Sequence, residues 1–206
     1  IVAFVPFESQ TNKKVTKSPF ISIPKGSLMP VAIITFFASL SEGAVADWSA
    51  IFLKSVTSLN DGNAALGFTV FSVCMFTMRL MGDKISHKIG PSDTARYSGL
   101  VALTGSSILL LFDSFFLLLL GFGLIGLGIA VIIPLAFSRA GNDKNISQGT
   151  AIASIATLGY GGMLLGPLLL GLLAEITSIK TSFMILPIMA FFIFRLSKHL
   201  SMESEV

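Results

Sequence analysis

An acidic residue, Glu42, lies inside a long apolar stretch of the sequence, Met29–Leu53. A charge at the centre of a membrane-spanning helix costs about 2.5–3.5 kcal/mol on insertion scales, so such residues are usually kept for function. Small or polar residues recur around it at helical spacing and share one face: Thr35, Ser39, Glu42, Ala46 and Ser49. The pattern predicts a helix that lines a water-accessible cavity, where Thr35, Ser39 and Glu42 bind a solute or a proton.

A second interpretation of Glu42 is structural, because a neutral carboxyl group can hydrogen-bond a neighbouring helix and hold a bundle together. Asp47 and Trp48 follow in the same stretch and are further candidates for the cavity. Asp47 lies about 140° around the helix from Glu42, so the two carboxylates do not face each other. Trp48 is predicted either to line the far mouth of the cavity or to anchor the helix at a membrane interface. Tyr160, deep in a later apolar stretch, is a candidate hydrogen-bonding group.

The composition places these residues in an integral membrane protein. Of the 206 residues, 53% are apolar and 12% are charged, and the mean hydropathy is +0.84. A soluble domain carries roughly 25% charged residues. Cys74 is the single cysteine, which excludes a disulfide-rich secreted scaffold, and the 18 phenylalanines exclude intrinsic disorder. A net charge of +3 without a basic stretch gives no indication of nucleic-acid binding.

Six apolar segments are long enough to cross a bilayer, which takes about 20 residues. The sequence therefore predicts an all-α, polytopic fold with six transmembrane helices. The predicted spans are Met29–Leu53, Asn63–Gly82, Arg96–Phe112, Ser114–Ser138, Gln148–Ala174 and Lys180–Lys198. Two of them are rich in glycine, which predicts close backbone packing: Gly121, Gly123, Gly126 and Gly128 in the fourth, and Gly159, Gly162 and Gly166 in the fifth. Pro134, Pro167 and Pro187 are expected to bend or interrupt their helices.

The regions outside the spans suggest how the chain is organised. Ile1–Phe7 is apolar but too short to cross, and we expect it to be the end of a truncated preceding helix. Residues 8–27 form a polar linker, 28–199 the six-helix unit and 200–206 a tail. The chain is accordingly expected to be a fragment.

The basic residues predict the orientation in the membrane. If each span crosses once, twelve of the fourteen basic residues fall on the side of the linker, and Lys54 and Lys180 fall on the other. Cytoplasmic loops carry such an excess. The linker and C-terminus are thus predicted to be cytoplasmic, in a multi-pass protein of the plasma (inner) membrane.

A short charged segment, Arg79–Pro91, begins in the last residues of the second predicted span and continues beyond it. Arg79 and Asp83 are spaced for an i,i+4 ion pair at a helix end. Gly90 and Pro91 predict a tight turn into the third span. We interpret the segment as a cytoplasmic loop that contains Arg79, Gly82, Asp83 and Lys84.

This loop resembles the signature loop of major facilitator superfamily transporters, in the copy that belongs to the C-terminal half. Two stretches narrow the resemblance to the MosC-like, sugar-permease-related group. Glu42–Ser49 (EGAVADWS) is similar to the seventh helix of that group, and residues 156–162 (ATLGYGG) with 165–167 (LGP) are similar to the eleventh. The resemblance implies that the six spans are helices seven to twelve of a twelve-helix carrier. It also implies that the loop residues Arg79, Gly82, Asp83 and Lys84 gate the cytoplasmic side.

By this resemblance we expect a secondary active transporter that moves a small polar, sugar-like solute by alternating access, coupled to a proton on Glu42. Its expected partners are the N-terminal six-helix half of the same chain, the lipid bilayer and a small-molecule substrate. A non-transporting membrane scaffold or sensor with the same fold is the alternative. A membrane enzyme has the least support, because His87, His199 and Cys74 form no metal-ligand or nucleophile–base pattern, and no cofactor is expected.

Overall fold

The computed structural model describes Pro24 and residues 26–57 and 61–201. Within these ranges the chain is helical and contains no strand, as the all-α prediction requires. The predicted truncated helix at 1–7, most of the linker and the tail beyond Ser201 lie outside the described residues.

Long helices dominate the described chain because an apolar helix satisfies its backbone hydrogen bonds internally, as a bilayer demands. In chain order the helices are α1 (Leu28–Thr57), α2 (Asp61–Ala64), α3 (Leu66–Ile89), α4 (Pro91–Leu111), α5 (Phe115–Ile129), α6 (Ile132–Gly141), α7 (Gln148–Ile176), α8 (Ile179–Ser182) and α9 (Ile185–Leu196), with a final 3₁₀ turn at Ser197–Leu200.

Five segments of the described chain are long and apolar enough to cross a membrane: Leu28–Thr57, Gly62–Ile89, Phe115–Gly141, Gln148–Ile176 and Ile179–Leu200. They correspond to five of the six predicted spans. The remaining one, Arg96–Phe112, corresponds to α4, which has 21 residues. Its first two turns carry Asp93 and Arg96, so it is less apolar than the others. The count of six spans therefore stays a prediction.

Two of the crossing segments are interrupted at prolines. In an unbroken helix the N–H of residue 134 would donate to the carbonyl of Ala130, but Pro134 has no N–H. Accordingly, α5 ends at Ile129 and α6 begins at Ile132. Pro187 acts in the same way between α8 and α9. By contrast, α7 runs on through Pro167.

Glycines let α1 and α7 pack backbone against backbone. A Cβ atom on Gly162 would lie 2.3 Å from the carbonyl oxygen of Phe36, and one on Gly166 would lie 2.3 Å from that of Leu40. No other residue type fits at such a distance. The contact positions increase together along both helices, so α1 and α7 run in the same direction.

The glycines of α5 do the same on two sides. A Cβ atom on Gly126 would lie 2.3 Å from the carbonyl oxygen of Phe71 in α3, and one on Gly128 would lie 2.5 Å from the amide nitrogen of Ala102 in α4. The predicted close packing of both glycine-rich segments is thus confirmed. It fixes α1, α3 and α7 around the region of Glu42.

Candidate functional site

Glu42 forms an ion pair with Arg79 of α3. The Nη2 atom of Arg79 is 3.4 Å from each carboxylate oxygen of Glu42. The side chain of Glu42 is 23% exposed and that of Arg79 is 43% exposed. Both residues lie near the middle of their helices, so opposite charges face each other far from the helix ends. Each charge reduces the cost of keeping the other in apolar surroundings.

The structure corrects the interpretation of Arg79–Pro91 as a loop. The helix α3 continues past Arg79 and ends only at Ile89, where it is capped by Gly90, whose φ of 88° favours glycine. Arg79, Gly82, Asp83 and Lys84 are therefore helical. The expected pair with Asp83 does not form, because the guanidinium turns to Glu42 instead. The cytoplasmic position and the gating role of these four residues stay predictions.

Gly82 has a packing role that the sequence did not reveal. A Cβ atom at this position would lie 2.6 Å from Cγ1 of Val131, between α5 and α6. Val131 lies at the break that Pro134 causes. A side chain at position 82 would therefore push α3 away from that break.

Two pockets meet at the ion pair. The first, the Thr35 pocket, has a volume of about 170 Å³ and extends toward the beginning of α1; its lining residues are Thr35, Ser39, Glu42, Arg79, Ile133, Phe137, Ala156, Gly159, Tyr160 and Met163. The second, the Phe71 pocket, has a volume of about 300 Å³ and extends toward the end of α1; it is lined by Glu42, Ala46, Phe68, Phe71, Ser72, Met75, Phe76, Arg79 and Met163. Glu42, Arg79 and Met163 line both pockets and form the wall between them.

The Thr35 pocket brings together four residues that the sequence pattern singled out. Ser39 is 5% exposed beside Glu42, and Thr35 donates its hydroxyl to the carbonyl of Val31 at 2.9 Å. Tyr160 reaches the pocket from α7 and is 71% exposed. The pocket is thus mainly apolar, with the polar groups of α1 and the hydroxyl of Tyr160 from α7 set among apolar walls that include residues of α6.

Asp47 and Trp48 lie away from the two pockets. Asp47 is exposed on another face of α1. The indole Nε1 of Trp48 donates to the carbonyl of Pro167 at 3.1 Å, and the ring lies where a side chain on Gly171 would be, 3.0 Å from an added Cβ. Trp48 therefore joins α1 to α7. Ser49, on the predicted polar stripe, is fully buried.

A second charged cluster connects the beginning of α1 to the end of α6. Oδ2 of Asp143 accepts from Nη1 of Arg139 at 3.2 Å and from the hydroxyl of Ser27 at 3.3 Å, while Oδ1 accepts from the backbone N–H of Asn145 at 2.9 Å. Burial disfavours the carboxylate, but these donors outweigh burial and hold the pKa of Asp143 below its ordinary value. Sequence reasoning missed the cluster, although Arg139 and Asp143 are four residues apart, the spacing of a helical ion pair.

Among the described residues, no group of three or more His, Cys, Asp and Glu side chains is arranged to hold a metal ion. The titratable side chains of the two pockets are Glu42, Arg79 and Tyr160. The arrangement can bind a polar or charged small molecule, or a proton, between α1, α3 and α7.

Sequence comparison finds relatives over most of the chain, although no family model matches it. An uncharacterised transporter, y4wD, of Sinorhizobium fredii is 40% identical over 168 residues, which are 82% of this chain and 45% of that protein. An uncharacterised MFS-type transporter of Yersinia pestis is 33% identical over 165 residues, 80% of this chain and 43% of that protein. The membrane protein MosC of Rhizobium meliloti is 33% identical over 148 residues, 72% of this chain and 36% of that protein. The chain thus spans less than half the length of these relatives.

Solved structures share the fold. The fucose:proton symporter FucP of E. coli matches with a TM-score of 0.76 at 17% identity, over 86% of this chain and 43% of that one. The peptide transporter POT, crystallised with alafosfalin, matches with a TM-score of 0.75 at 15% identity, over 87% of this chain and 40% of that one. At such low identity the likeness concerns the fold alone.

Proposed function

We propose that this chain, a partial transporter of the major facilitator superfamily by its relatives and its fold, forms one half of a secondary active transporter that moves a small polar solute by alternating access. The relatives are named as transporters rather than enzymes, and the chain is an integral membrane protein. A plasma-membrane location, with the beginning of α1 on the cytoplasmic side, belongs to the same proposal.

The observation that carries the proposal is the ion pair of Glu42 and Arg79 at the wall between two pockets. In alternating access a central site opens first to one side of the membrane and then to the other. The Thr35 pocket and the Phe71 pocket extend in opposite directions along α1 from this pair. A typical ligand pocket has a volume of about 300–1,000 Å³. The Thr35 pocket, at about 170 Å³, is smaller than this, and the Phe71 pocket, at about 300 Å³, is at the lower limit. We therefore infer that the other half of the transporter completes the solute site.

Glu42 is the residue that we assign to proton coupling. A proton on this carboxylate removes its charge and with it the attraction to Arg79, so the wall can open. An ion can drive a conformational change only if it binds the two conformations with different affinities. In this proposal the contact with Arg79 is made in one conformation and broken in the other, so the carboxyl group of Glu42 has different surroundings in the two.

Thiol labelling of the full-length transporter tests alternating access without knowledge of the solute. Cys74 is first replaced by serine, and single cysteines are placed at Ser39 in the Thr35 pocket and at Ser72 in the Phe71 pocket. An impermeant maleimide is then added to right-side-out and to inverted membrane vesicles. We expect Ser39→Cys to react from the cytoplasmic side and Ser72→Cys from the opposite side.

Ser49→Cys is the matched control, because Ser49 lies on the same helix as Ser39 but is fully buried and lines neither pocket. It should stay unlabelled in both preparations. If Ser39→Cys and Ser72→Cys are equally unreactive in folded protein, the chain does not line an alternating pathway. A scaffold or sensor with the same fold would give that result.

A further inference from the structure

Three basic side chains gather at one end of the bundle, where the beginning of α4 meets the end of α9. Arg96 lies in the second turn of α4, Arg195 lies in the last turn of α9, and Lys198 follows in the 3₁₀ turn. All three are exposed. Like charges that are held close together repel each other, so the cluster favours a bound anion.

Close packing of α4 against α9 brings these cations together. A Cβ atom on Gly99 would lie 2.8 Å from the backbone nitrogen of Phe194, so the two helix backbones are in contact. One turn before Gly99, the guanidinium of Arg96 lies over the ring of Phe194, with Cζ 5.4 Å from the ring centre. The 3₁₀ turn that carries Lys198 also packs against α4. Arg96 is therefore held beside the end of α9 that carries the other two cations.

The three cations have no acidic partner in the part of the chain that the structure describes. None of them forms an ion pair there with a carboxylate. Asp93, in the first turn of α4, is the acid nearest to Arg96 in sequence, but it is exposed and does not pair with it. The contact of Arg96 with Phe194 is a cation–π interaction, which holds the guanidinium in place and leaves its N–H donors to a ligand.

An exposed apolar face of α9 ends at these cations. Ile188, Phe191, Phe192 and Arg195 recur at helical spacing and share one face. The three apolar side chains are 50%, 47% and 42% exposed, respectively. An apolar surface that ends in basic groups is complementary to a phospholipid with an anionic headgroup, because its acyl chains are apolar and its phosphate is negative.

We propose that the junction of α4 and α9 binds one anionic phospholipid, whose phosphate contacts Arg96, Arg195 and Lys198 and whose acyl chains lie along the exposed face of α9. The chain is an integral membrane protein, so phospholipid is present around it. The three residues are on the side predicted to be cytoplasmic, where the leaflet is rich in anionic lipid. None of them lines the Thr35 pocket or the Phe71 pocket, so the site is separate from the transport pathway.

Native mass spectrometry of the purified, delipidated full-length transporter measures the binding of two lipids with the same acyl chains. Phosphatidylglycerol has a net negative charge, whereas phosphatidylcholine is neutral overall. We expect the first phosphatidylglycerol to bind more than about tenfold more tightly than phosphatidylcholine, because basic side chains near the headgroup favour an anionic lipid. Glycerol phosphate, which has the anionic headgroup without acyl chains, should not displace it at equal concentration.

Three variants and a control locate the site. Arg96→Gln, Arg195→Gln and Lys198→Gln should each lose about fivefold in affinity for phosphatidylglycerol, the contribution of one basic side chain near an anionic lipid, with phosphatidylcholine binding unchanged. Lys88→Gln is the matched control, because Lys88 is exposed and basic at the adjoining end of α3 but lies outside the junction of α4 and α9. It should bind as the parent protein does. Thermal melting in lipid-free detergent shows that each variant is folded.

Equal binding of the two lipids by the parent protein overturns the inference, as does displacement by glycerol phosphate at equal concentration. Unchanged phosphatidylglycerol binding in the folded Arg96 and Lys198 variants also overturns it. An equal loss in Lys88→Gln would mean a diffuse attraction to the basic end of the bundle and no built site. The thiol labelling proposed above concerns other residues, so either proposal can fail without the other.

Discussion

The carbonyl oxygen of Met163 lies against Gly43, and a Cβ atom at position 43 would be only 2.3 Å from it. Met163 is four residues before Pro167, which has no N–H to donate to that oxygen. The proline therefore frees an acceptor on the face of α7 that packs against α1. The contact lies next to Glu42, and Met163 itself lines both pockets.

Substitution of Gly43 by alanine should destabilise the full-length protein, because the added methyl group meets backbone rather than a movable side chain. Overpacking typically costs about 1–3 kcal/mol. We expect Gly43→Ala to lower the melting temperature in detergent by several degrees. Gly161→Ala is the control, because a Cβ atom there has nothing within 4 Å. If both variants melt at the parent temperature, α1 and α7 do not pack as closely as described.

The ion pair of Glu42 and Arg79 should show strong coupling in a double-mutant cycle. Arg79→Gln leaves an unpaired carboxylate and Glu42→Gln leaves an unpaired guanidinium, whereas the double variant leaves neither charge. We therefore expect the double variant to be more stable than the sum of the two single effects allows. Thermal unfolding at pH 7.5 measures all four proteins. Additive effects would mean that the two charges do not interact.

The hydrogen bond from Trp48 to Pro167 should contribute about 0.5–1.5 kcal/mol, the usual net value for such a bond. Trp48→Phe removes the donor and part of the ring over Gly171. We expect a lower melting temperature without loss of thiol labelling at the two pockets, because Trp48 lines neither. Tyr97→Phe, which removes a polar group from an exposed aromatic residue, should have no such effect. A stable Trp48 variant that loses labelling at Ser39→Cys would place the indole in the pathway instead.

Asp143 should make the stability of the fold depend on pH. Its pKa is lower in the folded protein than in the unfolded chain, so its ionised form stabilises the fold above about pH 4. That contribution is lost as the pH falls through the folded value. We expect Asp143→Asn to lower the melting temperature at pH 7 and to differ less from the parent protein at pH 3. Asp93→Asn, at an exposed aspartate, should show a smaller change at pH 7. An equal deficit at both pH values would mean that the carboxylate charge does not act.

Much of the fold could be predicted because a helix that crosses a bilayer needs a long apolar run, which can be recognised in the sequence. The apolar runs around Gly121 and Gly159 gave both the spans and the close packing. The end of α3 was missed because the charged residues from Arg79 onward were taken as a loop. The helix continues instead to Ile89, and the positive φ of Gly90 and the following Pro91 stop it.

The pairing within the site could not be predicted. Glu42 and Arg79 are 37 residues apart, and only the packing of α1 against α3 makes them neighbours. The helical spacing around Glu42 placed Ser49 on the same face as Ser39, but the pocket ends before Ser49, which packs inside the bundle. Spacing along one helix says which residues share a face and not which neighbour covers it.

The bond from Ser27 to Asp143 has a mechanical consequence. Ser27 directly precedes α1, whereas Asp143 lies between α6 and α7. At Ser27 the chain is thus connected to α1 through the main chain and to Asp143 through a side chain. A displacement that arrives along the backbone ahead of Pro24 would be transmitted to the α6–α7 connection through a side chain as well as to α1 through the main chain. The α6–α7 connection is in this sense a second point at which tension on the incoming polypeptide is felt.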